Sequence, residues 1–192
     1  MVLSAISERS LPEDQTVSRD PLLQPLTIKN LVLRNRIMST SHSSFLDDGG
    51  LPLERYQRYH EEKAKGGLAL TMFGGSSMVD VDSSWGGGGQ LNMATDEIIP
   101  HLQALSTRIH VHGAATMCQI SHLGRRADAT TLNWLPAIAP SRSRETQHRA
   151  FSREMDEHDI RRVVKAYGEA ARRCREGGLD GVETLTGGHL IG

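Results

Sequence analysis

Apolar and polar positions along the chain switch between a short period and a helical one, in strict turn. Arg36-Ile37-Met38-Ser39-Thr40-Ser41-His42 reads as a short strand that ends in small polar side chains. Pro52 then opens a helix in which Leu53, Tyr56, His60 and Ala64 recur on one side, and Gly66-Gly67 closes it. Leu68 to Phe73 is a second apolar strand, running into Gly74-Gly75-Ser76-Ser77. After a glycine run (Gly86 to Gly89), Thr95 caps a second helix with Ile98, Leu102, Leu105 and Ile109 on one face. Pro100 fits only the first turn of that helix, and His112-Gly113 stops it. Ala114 to Ile120 is a third strand, and Leu123 to Met155 a long loop. Asp156 to Gly177 is a third helix striped by Ile160, Val163, Val164, Tyr167, Ala171 and Cys174, and Gly181 to Leu185 begins a fourth strand.

Strands alternating with helices in this way predict an α/β fold with a parallel sheet covered by helices. A doubly wound sheet would carry a glycine fingerprint after its first strand, and neither GxGxxG nor GxxxxGK[ST] occurs. A (β/α)8 barrel instead builds its site from polar residues at the C-terminal ends of the strands. Those ends carry Ser41-His42-Ser43, Gly74 to Ser77, Gln119 with His122, and Glu183. Four strands are half of eight, and a full barrel needs about 250 residues. The expectation is a truncated TIM barrel over residues 21–192, preceded by a polar, aperiodic leader over 1–20.

Composition narrows the function classes. With 22 Lys+Arg against 23 Asp+Glu the net charge is −1, which argues against a nucleic-acid binder working through bulk charge. An apolar fraction of 38% plus 19 glycines suits a soluble globular domain rather than a disordered tail. The N-terminal stretch has no apolar core of signal-peptide type, and no window is long and apolar enough to cross a membrane, so the cytoplasm is the expected location. Cys118 and Cys174 read as buried free thiols, and no Cys, His or carboxylate cluster has the spacing of a metal site. Arginines 125, 126, 142, 144, 149 and 153 concentrate in the long loop, which would suit an anion-facing surface.

The runs RNRIMSTSHSSF, KAKGGLALTMFGGSS, AATMCQISHLGRR and ARRCREGGLDGVE together resemble the N-terminal half of the old yellow enzyme family of FMN-dependent oxidoreductases. The likeness covers Asp20 to Glu183. It is nearest to the branch holding 2,4-dienoyl-CoA reductase, trimethylamine dehydrogenase and N-methylproline demethylase, and YHEEKAKGG and ALTMFGGSS most resemble the last.

The resemblance implies a site. Gln119 matches the glutamine whose side-chain amide pairs with the acceptor–donor–acceptor edge of the isoalloxazine ring. Thr40, Ser41, His42 and Ser43 match the segment that runs under the ring. A cysteine bonds the flavin covalently at the Ser43 position in the trimethylamine dehydrogenase type, so FMN here would be held non-covalently. Gly75 matches a position where a small residue lets backbone approach the cofactor. His122, Gly124 and Arg125 match a structural turn, and Glu183 an acidic residue near the barrel floor, expected in a buried ion pair. The fourth strand end, Thr184 to Gly192, carries neither member of the family's substrate-binding histidine pair; His189 falls near the tyrosine proton donor and is the candidate acid.

The likeness further implies NAD(P)H as a possible electron donor, a small-molecule substrate, and iron–sulfur and FAD groups only if a longer C-terminal part follows. Half a sheet exposes its edges, so the expected partners are the missing C-terminal half or a second copy. The fragment is expected to be inactive alone. The alternative reading is a non-catalytic remnant or interaction module that self-associates through those edges.

Overall fold

The computed structural model describes residues 19–84, 88–127, 136–146, 151–186 and Leu190. Its centre is a parallel sheet in the order β3 (Met38–Ser39), β4 (Leu70–Met78), β5 (Ala115–Ser121) and β8 (Gly181–Thr184). Helices α1 (Glu54–Lys65), α2 (Ile99–His110) and α3 (Glu157–Glu176) supply the crossovers. Spatial order follows chain order with no reversal, which is barrel winding rather than doubly wound topology. Helix α1 packs on α2 and α2 on α3, so the three form one layer. The sheet and helices are half of the expected barrel.

Strand side chains alternate between two faces, and the two cores sort them. Phe73, Cys118 and Ile120 join Tyr56, Ala64, Leu102, Leu105, Ile109 and Cys174 between sheet and helices. Leu70, Met72 and Ala115 face the other way, onto Leu33 of a hairpin. That hairpin, β1 (Leu26–Ile28) and β2 (Leu31–Leu33), turns through Lys29 at φ 53° and was not anticipated. It covers the N-terminal ends of the strands. Just beyond it, the Arg34 guanidinium donates to the carbonyls of Ala64, Leu68 and His112, and Asn35 donates to that of Gly67.

Several boundaries differ from expectation. Helix α1 begins at Glu54, not Pro52, whose carbonyl accepts from the Gln57 side chain instead. Thr95 makes no side-chain cap; a 3-10 turn, Asp96–Ile98, leads into α2, and Asp96 draws Arg172 and Arg173 from α3. The capping box at Asp156 and Asp159 fixes the start of α3 where it was expected. On α3, however, Ile160 and Val164 are 49% and 67% exposed, while Val163, Ala170 and Cys174 are buried. The predicted stripe is wider than the face that finds a partner among the described residues. The long loop contains a further pair, β6 (Ile138–Ala139) with β7 (Arg153–Glu154). Its arginines turn inward in part: Arg125 and Arg126 reach Glu145, and Arg153 reaches Asp159. Cys118 and Cys174 are free and buried. The neighbouring Cys118 thiol, together with burial, pushes the Cys174 thiol well above its ordinary value. No described helix is long and apolar enough to cross a membrane.

Candidate functional site

At the C-terminal ends of the strands the sheet becomes irregular. Phe73 pairs with Cys118 and Ser77 with Ile120, so Gly74, Gly75 and Ser76 of β4 stand against Gln119 alone. All three residues have positive φ, at 106°, 54° and 68°. Glycine tolerates this backbone; Ser76 holds it against its own side chain. The reason lies in its amide, which donates to Gln119 Oε1 at 2.8 Å, while its carbonyl accepts from Gln90 at 2.7 Å. A strained strand end is thereby pinned on both sides.

Gln119 lies directly opposite Glu183 on β8, and its Nε2 donates to Glu183 Oε1 at 2.5 Å. Glu183 is therefore level with the site rather than near the floor, and it makes no ion pair among the described residues. The charged partner expected for it is replaced by an amide.

Gly75 meets the segment that follows β3. A Cβ there would lie 2.3 Å from the His42 carbonyl carbon and the Ser43 nitrogen, and Ser43 Oγ donates to the Gly75 carbonyl at 2.9 Å. The glycine thus admits the chain's own backbone. His42 Nε2 bonds the Tyr59 hydroxyl at 2.9 Å, and Lys63 Nζ sits 4.3 Å from the Tyr59 ring centre. Thr40 is exposed and Ser41 half-buried beside them. His42 and Ser43 after β3, Gly75 and Ser76 on β4, Gln119 on β5 and Glu183 on β8 form one connected row. His189 lies outside the described residues, as do Gly86 and Gly87 of the glycine run.

Two buried histidines frame the row. Behind His42, His60 bonds Thr71 Oγ1 at 3.1 Å, which in turn meets Ser39 Oγ at 3.1 Å. Burial holds the His60 pKa down to about 3, with help from the charges of Lys63 and His42. At the other end, His122 Nδ1 accepts from the Gly124 amide and Nε2 faces Asp82 at 3.0 Å, which places the proton of the neutral ring on Nε2. Arg162 reaches the same carboxylate at 2.6 Å and Asp80 at 2.5 Å. Burial alone would raise the Asp82 pKa, but the bonds from His122 and Arg162 outweigh it and hold the carboxyl well below its ordinary range. The turn after β5 is structural, as its pattern suggested. Sequence reasoning placed Ser76 at a strand end but missed the part played by its backbone amide, as well as Gln90, Tyr59 and the partnership of Glu183 with Gln119; only the two glycines before Ser76 hinted at unusual backbone.

The row brings hydrogen-bonding groups from four segments of the chain together at one end of the sheet. The model of the NADH:flavin oxidoreductase / NADH oxidase family matches residues 21–191. The chain is 63% identical over 177 residues to a multifunctional alkene reductase/demethylase of Caballeronia cordobensis, covering 92% of this chain and 26% of that protein. It is 45% identical over 172 residues to a probable N-methylproline demethylase of Rhizobium meliloti, covering 90% of this chain and 25% of that one. Among solved structures, old yellow enzyme from Pichia sp. AKU4542 superposes with a TM-score of 0.80 at 19% identity, covering 91% of this chain and 48% of that one. The homologue from Zymomonas mobilis gives 0.79 at 20% identity, covering 90% and 50%. The chain therefore spans about a quarter of the length of its curated relatives and about half that of these solved barrels. It belongs to the NADH:flavin oxidoreductase / NADH oxidase family, the family of old yellow enzyme.

Proposed function

We propose that this chain supplies the ring-reading half of an FMN-dependent oxidoreductase that reduces activated alkenes or removes N-methyl groups from amines. The observation that carries the reading is the Gln119 carboxamide, held at the strand ends with one N–H and one lone pair still to offer. Those groups suit the pyrimidine edge of a flavin. The Thr40–Ser43 segment would lie beneath the ring, with the His42 side chain and backbone polar groups as further contacts. Ser43 has no thiol, so the cofactor would be held without a covalent bond. When bound, FMN would take hydride from a reduced nicotinamide or an amine and pass it on. The protein's own work is to orient the ring and to keep His42, tied to Tyr59, beside it.

Barrel phosphate sites are generally built by the loops after the last two strands, and this segment has the first four. The chain alone would hold the ring and not the phosphate, and would be inactive until the sheet is closed. Among the described residues, strands β3 and β8 each pair on one side only, and the reading assigns their closure to the remaining half of a barrel, in the same polypeptide or a partner. Any iron–sulfur or FAD group would belong to a longer C-terminal part. The substrate is a small molecule reaching the ring from the open end.

The test is a fluorescence titration of the purified chain with FMN and with riboflavin. Equal and weak quenching of both is expected. Micromolar binding that depends on the phosphate would overturn the half-site reading, and no binding of either would overturn the flavin reading.

A further inference from the structure

Gln119 has two possible carboxamide orientations, and only one satisfies its neighbours. The Ser76 amide can only donate, so it must meet Oε1; an ionised Glu183 can only accept, so it must meet Nε2. Turning the amide over would oppose oxygen to carboxylate and N–H to N–H at once. The arrangement is built from two sides. Ser76 is carried to the site by three residues of positive φ standing against one, and its carbonyl is secured by Gln90. Glu183 arrives from the adjacent strand by direct register. The first feature is not needed to pair the strands and works against regular pairing.

We propose that Glu183 is a positioning residue: with the Ser76 amide it locks Gln119 in one orientation, so that the carboxamide presents a donor beside an acceptor in fixed order to the imide edge of a bound ring. The inference rests on the flavin reading above. An unlocked glutamine would spend part of its time presenting the reverse order, which opposes donor to donor. Glu183 thereby discriminates rings bearing an N–H between two carbonyls from those in which that nitrogen is blocked.

The lock itself is read without any ligand. In the ¹⁵N-labelled chain, the two Gln119 Nε2 protons should be widely separated in shift, with one slow to exchange. Glu183→Ala should collapse the separation, and Glu183→Gln, which keeps an acceptor, should restore most of it. Riboflavin and its N3-methyl analogue then test the consequence. The unaltered chain should favour riboflavin, Glu183→Ala should weaken riboflavin binding roughly tenfold while barely changing the analogue, and Glu183→Gln should recover the preference. Unchanged Gln119 resonances in Glu183→Ala would overturn the lock. Unchanged flavin preference in a variant whose resonances have collapsed would overturn the positioning role. If no flavin binds the unaltered chain while the lock is seen, the flavin reading fails, and the positioning role toward that ring fails with it.

Discussion

The buried imidazole of His60 makes a measurable acid sensitivity. Its folded pKa is about 3 against an ordinary 6.5, and the ring is fully buried. Above pH 6.5 it is neutral in both states. As pH falls below that value the unfolded chain takes up a proton that the folded protein refuses, so stability is lost steadily until about pH 3. At about 1.4 kcal/mol per pH unit, the loss between pH 6.5 and 4.5 is roughly 3 kcal/mol. Asp82 and Asp159 are held below 3.8, so their contributions are lost only at lower pH. His60→Gln keeps a group able to reach Thr71 but cannot titrate. Urea unfolding of both proteins at pH 7.5 and 4.5, extrapolated linearly, isolates the term. The unaltered chain should lose roughly 3 kcal/mol more than the variant on acidification. Equal losses would refute the claim that His60 is neutral because it is buried.

Gly75→Ala puts a methyl 2.3 Å from the His42 and Ser43 backbone at a φ of 54°. It should cost about 3 kcal/mol in urea unfolding, combining left-handed strain with overpacking; a cost below about 1 kcal/mol would mean that the His42–Ser43 backbone does not pack against Gly75. Asp82→Asn leaves Arg162 and His122 facing a neutral amide. With Asp80 still present to hold Arg162, a loss near the lower end of about 3–5 kcal/mol is expected in the same assay, and a neutral result would remove the Arg162 network from the forces fixing the turn after β5.

The helices were legible because burial repeats every third or fourth residue: Tyr56, His60 and Ala64, or Leu102, Leu105 and Ile109, are all fully covered. The strand order followed from their alternation. The hairpin at Leu26–Leu33 was not legible, since its strands are three residues each and half-exposed, too short for periodicity to register. Ile160 and Val164 were assigned to the buried face because apolar character alone cannot tell a covered flank from an open one. At the site, Gln119 and Gly75 were picked out by resemblance, but their immediate partners were not. That Gly75 admits the His42–Ser43 backbone, and that Glu183 meets an amide rather than a cation, depend on contacts between segments over thirty residues apart. No local pattern encodes them.

The irregular end of β4 has a parity. Its surplus over β5 is an even number of residues, so Phe73 and Ser77 look toward the same layer: Phe73 in the helix-side core, Ser77 bonded to Cys118 of that core. An odd surplus would have turned the rest of the strand inside out. The device that aims an amide at Gln119 is thus phase-neutral to the scaffold around it. Excising Gly74 and Gly75 as a unit would keep a sheet that buries the same side chains while releasing the backbone that aims the Ser76 amide at Gln119, so the geometry of this strand end and the foldability of the chain can part company without either announcing the change in the hydrophobic pattern.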